Sequence, residues 1–332
     1  MSDGFNLRLR RPRPSVVACS PTLGALGAVN LMPACFAKED ALEARIARSS
    51  RRRRAVSVLL RWLTYAAATV TAAVLLFVVG YILVRGVPAL TPDLFQWEYT
   101  SENVSLLPAL ASTVIMALLA LALAVPVGVG AAISLVEYAR RGSRFVRLVR
   151  VTAETLQGIP SIIYGLFGML FFVTACGWGL SLLSGACTLA IMVLPVIMRT
   201  TEEALMAVPD SYREGGFGLG AGRLRTVARC VLPSAVPGIL GGVILALGRC
   251  VGEVAALLFT AGTVAQIPDF GGQGIFALFD SCRTLAVHMY TLACEGLHVN
   301  EAYATSVVLL ILVLLLNAAM RVVAQKMEVS KK

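Results

Sequence analysis

The sequence predicts an all-α, polytopic membrane protein, and three observations carry that prediction. Of its 332 residues 58% are hydrophobic and only 14% charged, whereas charged residues make up about a quarter of soluble domains. Six stretches are apolar enough for helical spans, at about 57–84, 107–136, 159–176, 178–198, 236–260 and 303–323; each span needs roughly 20 such residues. Lysine and arginine also alternate between successive loops as the positive-inside rule requires. With the amino terminus inside, 11 basic residues precede residue 55, and Arg140, Arg141, Arg144, Arg147, Arg150, Arg199, Arg213, Arg223, Arg225 and Arg229 share that side. Arg321, Lys326, Lys331 and Lys332 join them, and only Arg85 and Arg283 fall outside. Both termini are therefore expected on the cytoplasmic side of the membrane. The net charge of +10 is then accounted for by membrane orientation, and nucleic acid is not an expected partner.

Residues 1–54 are rich in Pro, Gly and Arg and read as a disordered cytoplasmic tail, part of which is a mis-assigned start if translation begins at Met32. Leu31 to Cys35 faintly matches a lipidation site, a weaker reading than the plain tail. Residues 55–325 form the membrane domain, and 326–332 a second cytoplasmic tail. After the first span an outer loop carries Pro88, Pro92, Trp97 and Tyr99, aromatics suited to the headgroup level. The second span contains Pro126, Gly128 and Gly130, which predict a kink or close packing.

The basic segment 137–157 reads as a surface helix, with Phe145, Leu148, Val149 and Thr152 at helical spacing opposite the arginines. It ends at Gly158-Ile159-Pro160-Ser161, which is either a broken helix lining a pathway or a plain N-terminal cap. The next polar interruption, 211–233, is too charged and Gly-rich to span. Ser211-x-x-Glu214 has the capping-box pattern; Gly218, Gly220 and Gly222 end the helix; Arg223 to Val231 forms a second short helix stopped by Pro233. In the fifth span Gly238 and Gly242, then Gly248 and Gly252, stand at small-xxx-small spacing. Arg249 and Glu253 are four residues apart there and can neutralise each other on one helix face. They are either a structural ion pair or charge sites on the route of an anion, since intramembrane charges usually face a polar pathway.

The outer loop 263–300 holds Arg283, His288 and His298 without metal-ligand spacing, so no metal site is expected, and each His reads as a loop or interface residue. Cys282 and Cys294 share this loop and have the option of pairing in an oxidising compartment. A phosphate-cradling loop needs Gly-Lys-Ser/Thr, and the lysines, Lys38, Lys326, Lys331 and Lys332, never follow Gly. No nucleophile, base and orienter can be assembled either. The chain is therefore expected to be no enzyme, with no catalytic residue and no cofactor of its own.

Glu214-Gly215-Gly216, three residues, Gly220, nine residues, then Cys230-Val231-Leu232-Pro233 keep every spacing of the coupling motif of ABC-importer permeases, Glu-Ala-Ala, three residues, Gly, nine residues, Ile-x-Leu-Pro, and the stretch resembles that motif. Two glycines stand for alanines and Cys230 for isoleucine, which lowers helix propensity by about 1 kcal/mol per glycine. Glu154 to Gly165, Ala246 to Glu253 with Leu257 to Thr260, and Leu285 to Tyr290 resemble the A-type permease of the high-affinity phosphate ABC importer over about residues 55–325. Cys250 and Val254 depart from its pattern.

The resemblance implies a type I importer permease forming half of the pathway beside a second, homologous permease. It implies an external phosphate-binding protein and two cytoplasmic ATPase subunits that use ATP and magnesium. Glu214, Gly215, Gly216, Gly220, Leu232 and Pro233 would meet the ATPase in a helix-in-groove contact, and Arg249 and Glu253 would serve the anion route. A permease for another oxyanion and a secondary anion transporter are the rival readings.

Overall fold

The computed structural model describes the backbone of residues 32–329 apart from Ser101 and Arg141. It divides into two units, residues 1–76 and 77–332. What is described of the first is the leading part of one helix, α1 (Met32–Gly86). The expected irregular tail lies outside the described residues as far as Leu31, including the start of the lipidation pattern; from Met32 the backbone is already helical. Ala, Glu and Arg dominate that stretch and are strong helix formers.

In the second unit, α2 (Leu107–Ile133) runs on through a π-helical turn at Ser134–Tyr138. Then come α3 (Arg144–Gln157), α4 (Ser161–Gly168) with a π-helical extension to Ala175, and α5 (Leu182–Met206). After α6 (Asp210–Gly218), α7 (Arg223–Thr226) passes through another π-helical stretch, Val227–Val231, into α8 (Leu232–Val251). The chain closes with α9 (Ala255–Thr260), α10 (Leu285–Glu295) and α11 (Val299–Val329). No strand occurs among the described residues, and the all-α membrane fold is as expected.

Among the described residues five helices are long and apolar enough to cross a bilayer, or six if the bent α3–α4 pair is one span. The expected independent span at 159–176 is therefore revised. Its helix covers only residues 161–175 and meets α3 at a bend of 101°. Pro160 dictates the break: it stands extended, at φ −57° and ψ 140°, as the N-cap of α4. The expected span at 236–260 is also revised. Its helix starts at Arg223 and stops at Val251, and α9 follows after a break at residues 252–254.

Pro233 does not stop the helix that begins at Arg223. A proline lacks an N–H and crowds the carbonyl four residues back, but the wider π-helical turn at Val227–Val231 directly precedes it and gives the backbone room for the ring. The helix thus runs unbroken from the polar segment into the membrane.

The main core joins α2, α5 and α8, centred on Ala120, Leu189, Met192, Val193 and Ala246. In lipid the hydrophobic effect gives little drive for helix association, so close van der Waals packing has to supply it. Gly238 and Gly242 of α8 fit this demand, seated on Ala204 and Thr200 of α5. Gly248 and Gly252 do not form the second packing pair that their spacing suggests. A Cβ on Gly248 would meet nothing within 4 Å, and one on Gly252 only the carbonyl of Gly248.

The buried face of α3 is Val146 and Ala153, with Val149 packed against the same cluster. Of the residues expected opposite the arginines, Val149 alone turns toward that packing, and Phe145, Leu148 and Thr152 are exposed. The arginines are not all opposite the packed face either, because Arg150 turns in to pair with the buried Glu202 of α5.

Candidate functional site

Helix α6 is built differently from its capping-box forecast. Pro209 is its extended N-cap, Asp210 its first residue, and no side chain caps its start. Ser211 lies inside the first turn, where its hydroxyl no longer stands ahead of the orphan N–H groups. The far end conforms: Ala221 N–H donates to Gly216 O at 3.1 Å and Gly220 N–H to Phe217 O at 2.9 Å. Gly220 takes φ +76°, so this is a Schellman closure needing a residue at ease in the left-handed region.

The two glycines in place of alanines are not equivalent. Gly215 faces open space, whereas a Cβ on Gly216 would meet Thr226 Cγ2 at 2.6 Å and Oγ1 at 2.8 Å. Thr226 is itself buried and donates from its hydroxyl to Gly222 O, so it cannot readily yield. Gly215→Ala is therefore expected to stabilise α6 by about 0.5–1 kcal/mol, and Gly216→Ala to destabilise the α6–α7 junction by about 1–3 kcal/mol through overpacking. Thermal unfolding of the two purified variants checks this, and a shift of the same sign in both would contradict it.

A residue that the motif does not single out anchors the segment. Arg213 Nη2 donates to Glu137 Oε1 at 2.6 Å, and Nε donates to the same oxygen at 3.1 Å. Nη1 donates to Val208 O at 2.9 Å and Asp210 Oδ1 at 3.2 Å, and Nη2 also to Leu205 O at 3.0 Å. Only 16% of the Arg213 side chain and 8% of the Glu137 side chain are exposed. The hydrogen bond to Glu137 raises the Arg213 pKa against the opposing effect of burial. One guanidinium thus ties α6 to the end of the second span and to the last carbonyls of α5. Its signal in the sequence was only a basic residue in a cytoplasmic loop, its partner lying 76 positions away.

The motif residues separate into two groups. Glu214, Gly215 and Gly220 are exposed, Gly216 is buried, and Leu232 and Pro233 are partly buried at the root of α8, with Leu232 packed beside Val231 and Ala235. Around Glu214 the surface is apolar to an extent unusual for a polar loop: Leu219 is 91% exposed and Leu224 73%, beside half-exposed Tyr212 and Phe217. Such a patch, rimmed by Arg223, Arg225 and Glu214, has the make-up of a protein contact.

The second region is the break between α8 and α9. Arg249 stands two residues before the end of α8 and Glu253 beyond it, so the expected i, i+4 neutralisation does not occur. No ion pair joins them, and Arg249 makes no side-chain hydrogen bond among the described residues. Once the helix ends at Val251, residues 249 and 253 no longer share a face. Glu253 turns to the new helix instead, where Oε1 accepts from the Ala256 N–H at 3.2 Å. Arg249 is half-buried and Glu253 buried; Arg249 lies near Tyr164, and Cys250 lies near both charges. The break falls within the apolar stretch 236–260, and irregular backbone at membrane depth is tolerated only inside protein or along a watered cavity.

The loop expected on the outer side at 263–300 contains α10, and His288 is a core residue of that helix, 0% exposed. Burial first, and then the charge of Arg283, lowers its pKa to about 3 against a weaker contact with the Val104 backbone, so the ring is neutral. Arg283 is also buried; it lies 4.9 Å over the Tyr99 ring and donates to Thr291 Oγ1 at 3.0 Å. Tyr99, expected at the headgroups, is instead half-buried against these two residues. Cys282 and Cys294 are both free. Cys282 is buried ahead of α10, and Cys294 is exposed near its end. No group of three or more metal-ligating side chains gathers among the described residues.

Residues 124–329 match the family described as binding-protein-dependent transport system inner membrane component. A relative from Bacillus subtilis described as a probable ABC transporter permease protein, YqgI, is 35% identical over 76% of this chain and 90% of its own length. The phosphate transport system permease protein PstA of Mycobacterium leprae is 33% identical over 65% of this chain and 71% of its own. PstC of Mesorhizobium japonicum is 31% identical over 70% and 77%. Among solved structures, a bacterial ABC transporter involved in alginate import superposes with TM-score 0.56 at 16% identity, covering 80% of this chain and 96% of that one. At that identity the likeness is one of fold.

Proposed function

The chain belongs to the family of binding-protein-dependent transport system inner membrane components, and on that premise we propose that it is the A-type permease subunit of an ATP-driven importer of inorganic phosphate. It forms half of the pathway with a second permease. Glu214, Gly215 and Gly220, with the apolar surface around them, meet a cytoplasmic ATPase that uses ATP and magnesium, and an external binding protein delivers the anion. Gly216, Leu232 and Pro233 serve the same contact from beneath, by setting the packing of α6 and the root of α8.

The observation that carries the substrate class is Arg249: a half-buried guanidinium without an ion pair among the described residues, at a helix break within an apolar stretch. A charge at such depth costs about 2.5–3.5 kcal/mol on insertion scales, so it is retained where an anion or water meets it. Discontinuous helices that present charged or dipolar ends are a recurrent way to build such a site. The Glu253 carboxylate beside it limits how tightly a phosphate is held. The names of the PstA and PstC relatives favour phosphate among oxyanions.

The test is uptake of labelled phosphate by vesicles containing this chain with its partner permease, ATPase and binding protein. Uptake should need ATP, survive collapse of ion gradients, and be competed by unlabelled phosphate rather than sulfate or molybdate. Uptake that follows an ion gradient without ATP would make the chain a secondary transporter, and sulfate or molybdate as the better competitor would reassign the substrate.

A further inference from the structure

Helix α3 presents an outer face left exposed among the described residues. Phe145 is 70% exposed, Leu148 63% and Val151 53%, while its opposite side packs through Val146 and Ala153. On the exposed arc stand Arg144 and Arg147, and Arg140 lies just ahead of the helix; all three are exposed and none has an ion-pair partner among the described residues. From residue 138 to residue 153 the sequence contains no Asp or Glu. Such an arc suits a bilayer interface, because arginines snorkel their charged heads to the headgroup level while large apolar side chains reach the acyl boundary.

The backbone sets the same orientation. The second candidate span ends at Tyr138, two residues before Arg140, and α3 meets the apolar α4 at 101°. If α4 enters the membrane, α3 runs along its surface. Beside it a cavity of about 400 Å³ is bordered by Arg140, Arg150, Asp210 and Arg213 and by the apolar Leu135 and Val146. Arg213 and Arg150 already have carboxylate partners, so the cationic charge left for a ligand is that of Arg140 with Arg144 and Arg147.

We propose that α3 is a docking surface for anionic phospholipid, with Arg140, Arg144 and Arg147 holding the phosphate-bearing headgroup and Phe145, Leu148 and Val151 lying among the adjoining acyl chains. The partner follows from charge complementarity and from geometry. A juxtamembrane basic cluster gains about 1 kcal/mol per arginine near an anionic leaflet, and a surface-parallel helix with large exposed apolar side chains gains more by dipping into that leaflet than by facing water. Because the neighbouring cavity is shared with Asp210 and Arg213 of α6, a headgroup here lies next to the junction between the polar segment and the membrane.

The experiment is native mass spectrometry of the full-length chain, released from mixed phosphatidylglycerol and phosphatidylcholine, counting the retained lipids. The wild type should retain phosphatidylglycerol in preference. R144Q/R147Q should weaken that preference on the order of thirtyfold and R140E/R144E/R147E on the order of a hundredfold or more, from roughly 1 kcal/mol per arginine. R140K/R144K/R147K should preserve most of it, because the attraction is to charge. Inorganic phosphate in excess should not displace the lipid; displacement would mark a free-anion site and overturn the proposal. An unchanged preference in R144Q/R147Q, or equal loss in the lysine variant, would also overturn it. So would retention that depends on a copurifying protein, which would assign the face to a protein partner.

Discussion

Arg213→Ala is expected to destabilise the chain by about 3–5 kcal/mol, because it leaves Glu137 buried with no compensating charge. Glu137 is 8% exposed and its carboxylate accepts from Arg213 Nη2 at 2.6 Å. The same substitution removes donors from Leu205 O in the last turn of α5 and from Val208 O just beyond it, where helix geometry leaves carbonyls short of intrahelical partners. Glu137→Gln should cost less, since a neutral amide still accepts from the guanidinium. The double variant should be more stable than the sum of the two losses by roughly 0.5–3 kcal/mol, the usual range for residues in one network.

Thermal unfolding of the four proteins in detergent closes this cycle, and additivity would remove the pair from any special role. A functional readout separates anchoring from mere stability. In the assembled importer Arg213→Lys keeps the charge but not the fork of donors that reaches Glu137 and two carbonyls at once. It should hydrolyse ATP with a reduced yield of transported phosphate. A parallel fall in both quantities would mean that Arg213 only holds the fold.

The bilayer made much of this fold readable. Spans appear as long apolar runs because lipid demands them, and the left-handed turn at Gly220 is visible because few other residues adopt it at low cost. What resisted reading depends on contacts distant in sequence or on local backbone choices with close rivals. Arg213 and Glu137 meet across 76 positions, and no periodicity signals that. Gly216 looked like a weakness relative to alanine until Thr226 was found where its side chain would go.

Pro233 is an ordinary helix stop in isolation, and the π-helical turn before it reverses that rule. The option of an Arg249–Glu253 pair rests on one continuous helix, and the break at residues 252–254 removes that premise. For α3 the period was right and the phase partly wrong. With apolar residues on more than one side, sequence alone does not say which face meets protein and which meets lipid.

Arg249→Ala should reduce phosphate uptake by about tenfold to a hundredfold, the worth of a charge-assisted hydrogen bond of roughly 1.5–3 kcal/mol, while leaving the chain at least as stable as before. The two halves of this expectation have one cause. Arg249 has no ion-pair partner among the described residues, so its removal orphans no carboxylate there and relieves the cost of holding a cation at depth. A structural arginine behaves the other way, losing stability first and transport in proportion.

Glu253 calls for a separate variant, because its Oε1 also accepts from the Ala256 N–H. Glu253→Gln keeps an acceptor there and removes only the charge, whereas Glu253→Ala also loses the cap, worth about 1 kcal/mol. If the carboxylate opposes tight binding, Glu253→Gln should hold phosphate longer and slow turnover with little change in the unfolding midpoint. Single-turnover uptake and thermal unfolding measured on the same preparations distinguish the cases. Arg249→Ala with normal uptake, or with a loss of stability that matches its loss of transport, would take Arg249 off the anion route.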